Sequence, residues 1–68
     1  MDGWPAEKLR AGDVYWWSGR RVRVLAVVRR WITPTHSGVS ILVEPANGEQ
    51  WEPRRLAYFD GEQVEISQ

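Results

Sequence analysis

Beyond a short stretch near the start, apolar residues recur at about every second position, the spacing of β-strands. Residues 13–17 (DVYWW) are rich in β-branched and aromatic types and are predicted as a first strand. Ser18 and Gly19 mark a turn. Residues 21–30 (RVRVLAVVRR) form a long second strand, and Pro34 and Gly38 make residues 31–38 a loop. Residues 39–44 and 49–52 are the third and fourth strands, and 63–66 (QVEI) alternates cleanly as the last. Residues 53–58 are too short for a stable helix and are expected to form a 3₁₀ turn. A single helical turn is expected at residues 6–10, ended by Gly12. Five short strands separated by turns predict a small all-β barrel.

Register follows from the same alternation. A three-residue loop of Ala46, Asn47 and Gly48, with Gly48 in the left-handed region, sets Val43 opposite Trp51. A two-residue Asn47-Gly48 turn would instead set Val43 beside Glu52 and waste the apolar alternation. In the first hairpin, a three-residue loop at Ser18, Gly19 and Arg20 turns Val14, Trp16, Val22, Val24 and Ala26 inward. It requires an unfavourable backbone at Arg20, and a two-residue turn would group Tyr15 and Trp17 with Val22 and Val24 instead. With the three-residue loop, the expected core is Val14, Trp16, Val22, Val24, Ala26, Ile41, Val43, Trp51, Leu56, Val64 and Ile66.

The chain's 68 residues allow one domain, near the lower limit for folding without a disulfide or metal. There is no cysteine, and five tryptophans supply much of the apolar surface. No apolar run approaches the roughly 18 residues of a membrane helix, and the N-terminal MDGWPAEKLR lacks the apolar stretch of a signal peptide. The sequence therefore reads as a cytoplasmic, single-domain protein with no membrane partner. Net charge is zero, yet residues 18–36 hold Arg20, Arg21, Arg23, Arg29 and Arg30 and no acid. Either this segment presents a local positive field, or the acids fold back and neutralise it.

Leu9 to Tyr15 followed by a hairpin, a bent strand, the Asn47-Gly48 hairpin, and Trp51-Glu52-Pro53-Arg54-Arg55-Leu56 before a final strand resembles the SH3-like barrel superfold. The likeness is strongest to the Tudor and KOW branches of bacterial proteins. It covers residues 9–66, leaving 1–8 as an N-terminal arm, and rests on strand rhythm. The chain departs from the KOW pattern at residues 22–26, where a further glycine is absent. The resemblance implies a binding module for RNA, DNA, peptide or a polymerase surface.

Enzymatic chemistry lacks an inventory. His36 is the only imidazole, and its neighbour Ser37 points away from it on an extended chain. No zinc, calcium-loop or phosphate-loop spacing occurs, and no cofactor is expected. What remains is aromatic residues interleaved with arginine. In the preferred register Tyr15 and Trp17 lie on the outer face beside Arg23 and Arg21, followed by Leu25, Val27 and Arg29. Either the segments holding Trp4, Trp31 and Phe59 roof this face, or it is a free binding surface. The second case makes Tyr15, Trp17, Arg21, Arg23, Arg29, Arg30 and Trp31 the partner-binding residues. Tryptophan and arginine with few lysines match a protein partner. Nucleic acid is the alternative, for which the arginine cluster argues and a pI near 6.6 argues against. Small size and arginine bias also suit a phage or mobile-element accessory protein. Nothing in the pattern specifies an oligomeric state.

Overall fold

A computed structural model describes residues 3–67. The strands are β1 (Gly3–Pro5), β2 (Val14–Trp17), β3 (Arg20–Thr33), β4 (His36–Pro45), β5 (Arg54–Phe59) and β6 (Gln63–Ile66). They form one six-stranded sheet in the order β1-β6-β2-β3-β4-β5, with every neighbouring pair antiparallel. β1 and β5 are its two edges, so the sheet is open and not the closed five-stranded barrel expected from the strand rhythm. The N-terminal residues expected as an arm join the sheet, Trp4 lying opposite Val64. A 3₁₀ turn at Ala6–Lys8 follows, anchored where the Ala6 N–H donates to the Glu62 carbonyl at 2.9 Å.

The first hairpin closes in two residues. Trp17 pairs with Arg20, while Ser18 (φ 52°) and Gly19 (φ 77°) both occupy the left-handed region. Paired left-handed residues give the turn whose twist matches the flanking strands. Ser18 carries the strained backbone, and Arg20 stays in the strand. This reverses the preferred register: Tyr15 lies opposite Val22 and is fully buried, whereas Trp16 faces outward. Ala26 also leaves the core, for a different reason. A bulge between Val24 and Ala26 inserts Leu25 into β3, so Val24 and Val27 both face inward and Ala26 faces out.

The expected loop at residues 31–38 is a continuation of the ladder. β3 runs for 14 residues and turns at Pro34 and Thr35, with Thr33 opposite His36. The other correction concerns residues 49–52, which form no strand. Asn47 holds a local turn, its Oδ1 accepting from the Glu49 N–H at 3.1 Å, and pairing resumes only after Pro53. Gly48 has the expected positive φ (89°), but Val43 lies opposite Arg54, not Trp51. A strand, β5, replaces the expected 3₁₀ turn at 53–58, because Leu56 and Tyr58 alternate inward on it.

Ala6, Leu9, Tyr15, Val22, Val24, Val39, Ile41, Val43 and Val64 are buried on the inner face. Burial of each large aliphatic or aromatic member contributes roughly 1.5–3 kcal/mol. Trp17, Val27, Trp51, Leu56, Tyr58 and Ile66 pack around them half-buried. Of the expected core, Trp16 and Ala26 are exposed, and Val14, Trp51, Leu56 and Ile66 are only half-buried. The 3₁₀ turn packs against β4 and β5, supplying Ala6 and Leu9 where the sheet alone would leave its inner face open.

Candidate interaction surface

The seven residues expected on one binding face are distributed over several places. Tyr15 is in the core, with its hydroxyl 3.1 Å from that of Tyr58. Burial raises the pKa of both phenols, and the mutual hydrogen bond adds to the rise at Tyr15. Trp17 lies half-buried on the inner face, edge-on to Trp51 with ring centroids 6.2 Å apart. Its cationic neighbour is Arg54, 5.4 Å above the ring, and not Arg21 as the preferred register implied.

The arginines are largely engaged within the chain. Arg21 donates through Nε to Ser67 Oγ at 3.0 Å. Arg23 pairs with Glu44 at 3.2 Å, from the strand position opposite it. Arg29 pairs with Asp60 at 3.0 Å, and Asp60 also accepts from the Ser37 hydroxyl at 2.6 Å. The Ser37 hydrogen bond first, then that of Arg29, holds the Asp60 carboxyl below the usual carboxylate range. Arg20 reaches Glu49 at 3.8 Å. The acids do fold back onto the basic segment. Arg30 is exposed on the outer face opposite Gly38 and takes part in no ion pair among the described residues.

Trp31 is 67% exposed, the most exposed of the large apolar residues. It sits where β3 and β4 extend past their partners, since β5 pairs only with residues 38–43 of β4. On the opposite face of this hairpin, Val28 is 51% exposed and shares its row with Ser40 and Ala57. Arg30, Gly38 and Phe59 form the next row, and His36 packs edge-on to Phe59 at 5.8 Å. The distal part of the outer face of β3, β4 and β5 thus carries small and aliphatic residues with an arginine and an aromatic at its end, while Arg55 and the Arg23–Glu44 pair lie farther back on the same face. Val28 was not expected there, and Phe59 was expected only as part of a segment roofing the face, not as a strand residue within it. Val28 reaches this face only through the bulge at Leu25, which alternation alone does not reveal.

At the far end of β4, Glu44, Pro45, Glu49, Gln50, Trp51, Glu52 and Pro53 line a shallow groove of about 480 Å³. Glu44 and Glu49 are already held by arginines, and the buried Trp51 Nε1 has no acceptor among the described residues. No cluster of three potential metal ligands occurs among the described residues. Among the described residues no helix is long and apolar enough to cross a membrane. No family model, curated protein or solved structure matches the chain.

Proposed function

We propose that the chain is a non-enzymatic binding module whose partner is a protein, with Trp31 as the anchor at the distal end of the β3–β4 hairpin and Arg30 and Val28 exposed on the other face of that hairpin. The observation carrying this reading is the contrast along β3. Arg20, Arg23 and Arg29 are neutralised by carboxylates of the same chain, while Trp31 and Val28 stand uncovered. Nucleic-acid affinity depends on unpaired cations meeting phosphates, and most of this cluster is already paired. An exposed tryptophan flanked by arginine is the composition of a protein-interface anchor. The SH3-like resemblance implies a binding module as well.

Two measurements test the reading. Titration of tryptophan fluorescence with mixed single- and double-stranded oligonucleotides at low and high salt should show no tight, steeply salt-dependent binding. Such binding, lost on replacing Arg21, Arg30 and Arg55, would install the nucleic-acid alternative. A photo-crosslinker at position 31 should then give a protein adduct in cells that one at exposed position 50, at the opposite end of β4, does not.

A further inference from the structure

The free edge of β5 carries a hydrogen-bonding pattern that complements itself. Asp60 N–H donates to the Ser37 carbonyl across the β4–β5 ladder. In an antiparallel pair the bonded positions alternate, so Tyr58, Leu56 and Arg54 direct their backbone groups toward β4. Phe59, Ala57 and Arg55 direct theirs away from the sheet. Phe59 is already satisfied: its N–H donates to Glu62 Oε1 at 2.8 Å, and its carbonyl accepts from the Glu62 N–H at 3.1 Å. Exposed Arg55 and Ala57 remain, each with an outward N–H and C=O, and among the described residues no strand pairs with β5 on that side.

We infer that this edge pairs with the same edge of a second copy of the chain, antiparallel about a two-fold axis through Leu56. This register sets Arg55 opposite Ala57 of the second copy, and Ala57 opposite its Arg55. Each such pair exchanges both backbone hydrogen bonds, so every outward group at these two positions finds its complement. One step further along, Phe59 falls opposite Pro53 of the second copy. The first is already capped by Glu62, and the second has no N–H to lose. Side chains agree with the register. Each arginine meets a partner without charge, Arg55 meeting Ala57 and Arg54 meeting Tyr58, and no like charges stand directly opposite. The chain's zero net charge opposes no self-association. A shift by one residue would bring the β4-bonded groups of one copy against the free groups of the other and leave both unpaired. The interface lies away from Trp31 and does not depend on the partner assigned there.

Sedimentation of the full chain over a wide concentration range tests the pairing. The expected result is an average mass rising from one chain toward two as concentration increases. Ala57→Pro removes an outward N–H at a position where an edge strand accommodates proline, and Ala57→Lys places a cation opposite Arg55 of the second copy. Both should hold the protein at one chain mass. If the proline variant fails to fold, the lysine variant carries the test. Register is read by mixing Arg55→Cys and Ala57→Cys chains, which have no other cysteine. The mixed disulfide should form faster than either self-pairing. A constant single-chain mass, a dimer indifferent to both Ala57 substitutions, or preferential self-crosslinking would overturn the proposal. So would an edge that stays monomeric and binds only unrelated extended peptides.

Discussion

The hydroxyls of Tyr15 and Tyr58 meet at 3.1 Å, although β2 and β5 are separated in the sheet by β3 and β4. The sheet therefore curls far enough for β2 and the edge strand β5 to touch across the inner face, and side chains complete what backbone pairing leaves open. The two rings lie edge to face, with centroids 6.4 Å apart. Such contacts add about 0.5–1.5 kcal/mol beyond area burial. Ala6 and Leu9 belong to the same buried cluster as Tyr15.

The two tyrosines should respond unequally to loss of a hydroxyl. Tyr15 is fully buried and Tyr58 partly exposed. Tyr58→Phe strands a buried donor and should cost about 1–3 kcal/mol, whereas Tyr15→Phe leaves Tyr58 within reach of water and should cost about 1 kcal/mol or less. The double variant should lie well short of the sum. Urea denaturation of the three variants measures this. Equal costs for the singles would show that the hydroxyls are solvated alike.

Alkaline pH should loosen the same contact. Burial raises both phenol pKa values above the unfolded tyrosine value of about 10. A raised folded pKa means the folded state holds its proton more tightly. The associated stability is fully present below about pH 10 and is lost as pH rises through the folded values. Tyrosinate absorbance should appear together with unfolding rather than ahead of it. In Tyr15→Phe, which removes the more deeply buried phenol, the alkaline transition should become shallower.

How much of this was legible in the sequence depends on what alternation can encode. The all-β class, the turns at Ser18 and Gly48 and the inward positions Val22, Val24, Ile41, Val43 and Val64 follow from period-two spacing. Tyr15 and Trp16 are adjacent aromatics, and either phase of β2 buries a large ring, so the pattern could not choose between them. The choice fell to turn chemistry, where Ser18 accepts the left-handed backbone more readily than Arg20. The bulge at Leu25 changes phase inside an unbroken apolar run and leaves no mark. Trp51 was assigned to a strand on hydrophobicity, but Asn47 and Pro53 on either side of it hold the chain out of the ladder. For the surface, the arginines were visible, but the carboxylates that occupy them come from β4 and two turns and depend on the fold.

Gly38 should be less replaceable than Gly48, although only Gly48 has a positive φ. A Cβ on Gly38 would press into the Tyr58 carbonyl oxygen and lie 3.0 Å from Phe59 Cα, both backbone atoms of β5. A Cβ on Gly48 meets nothing within 4 Å. Gly48→Ala should cost about 1–2 kcal/mol, the strain of a left-handed alanine. Gly38→Ala must separate β4 from β5 and should cost about 3 kcal/mol or more. Thermal midpoints rank the two, and the reverse order would contradict the tight β4–β5 approach.

Asp60 joins the β5–β6 turn to the long hairpin through Ser37 and Arg29, and its carboxyl titrates below the usual range. A depressed folded pKa stabilises above the unfolded value of about 3.9, and that stability is lost as pH falls through the folded value. Ser37→Ala should raise the Asp60 midpoint more than Arg29→Gln, because the hydroxyl is closer and the exposed guanidinium is screened by water. Carboxyl chemical shifts followed through an acid titration give both midpoints.

Trp51 combines a favourable contact with an unfavourable one. Its ring packs against Trp17, while its buried Nε1 has no acceptor among the described residues. An unmade hydrogen bond of this kind costs about 1–3 kcal/mol. Trp51→Phe keeps an aromatic ring against Trp17 and deletes the stranded donor, so the loss of packing and the relief of the donor should nearly cancel, within about 1 kcal/mol of the parent. Trp51→Ala loses the ring altogether and should cost about 2 kcal/mol, less than for a fully buried tryptophan because Trp51 is only half-buried. Trp17→Ala and the double variant complete a cycle whose coupling should be about 0.5–1.5 kcal/mol. If Trp51→Phe proved as damaging as Trp51→Ala, the indole N–H would have to be bonded, and the ring contact with Trp17 would not be what holds this loop to the sheet.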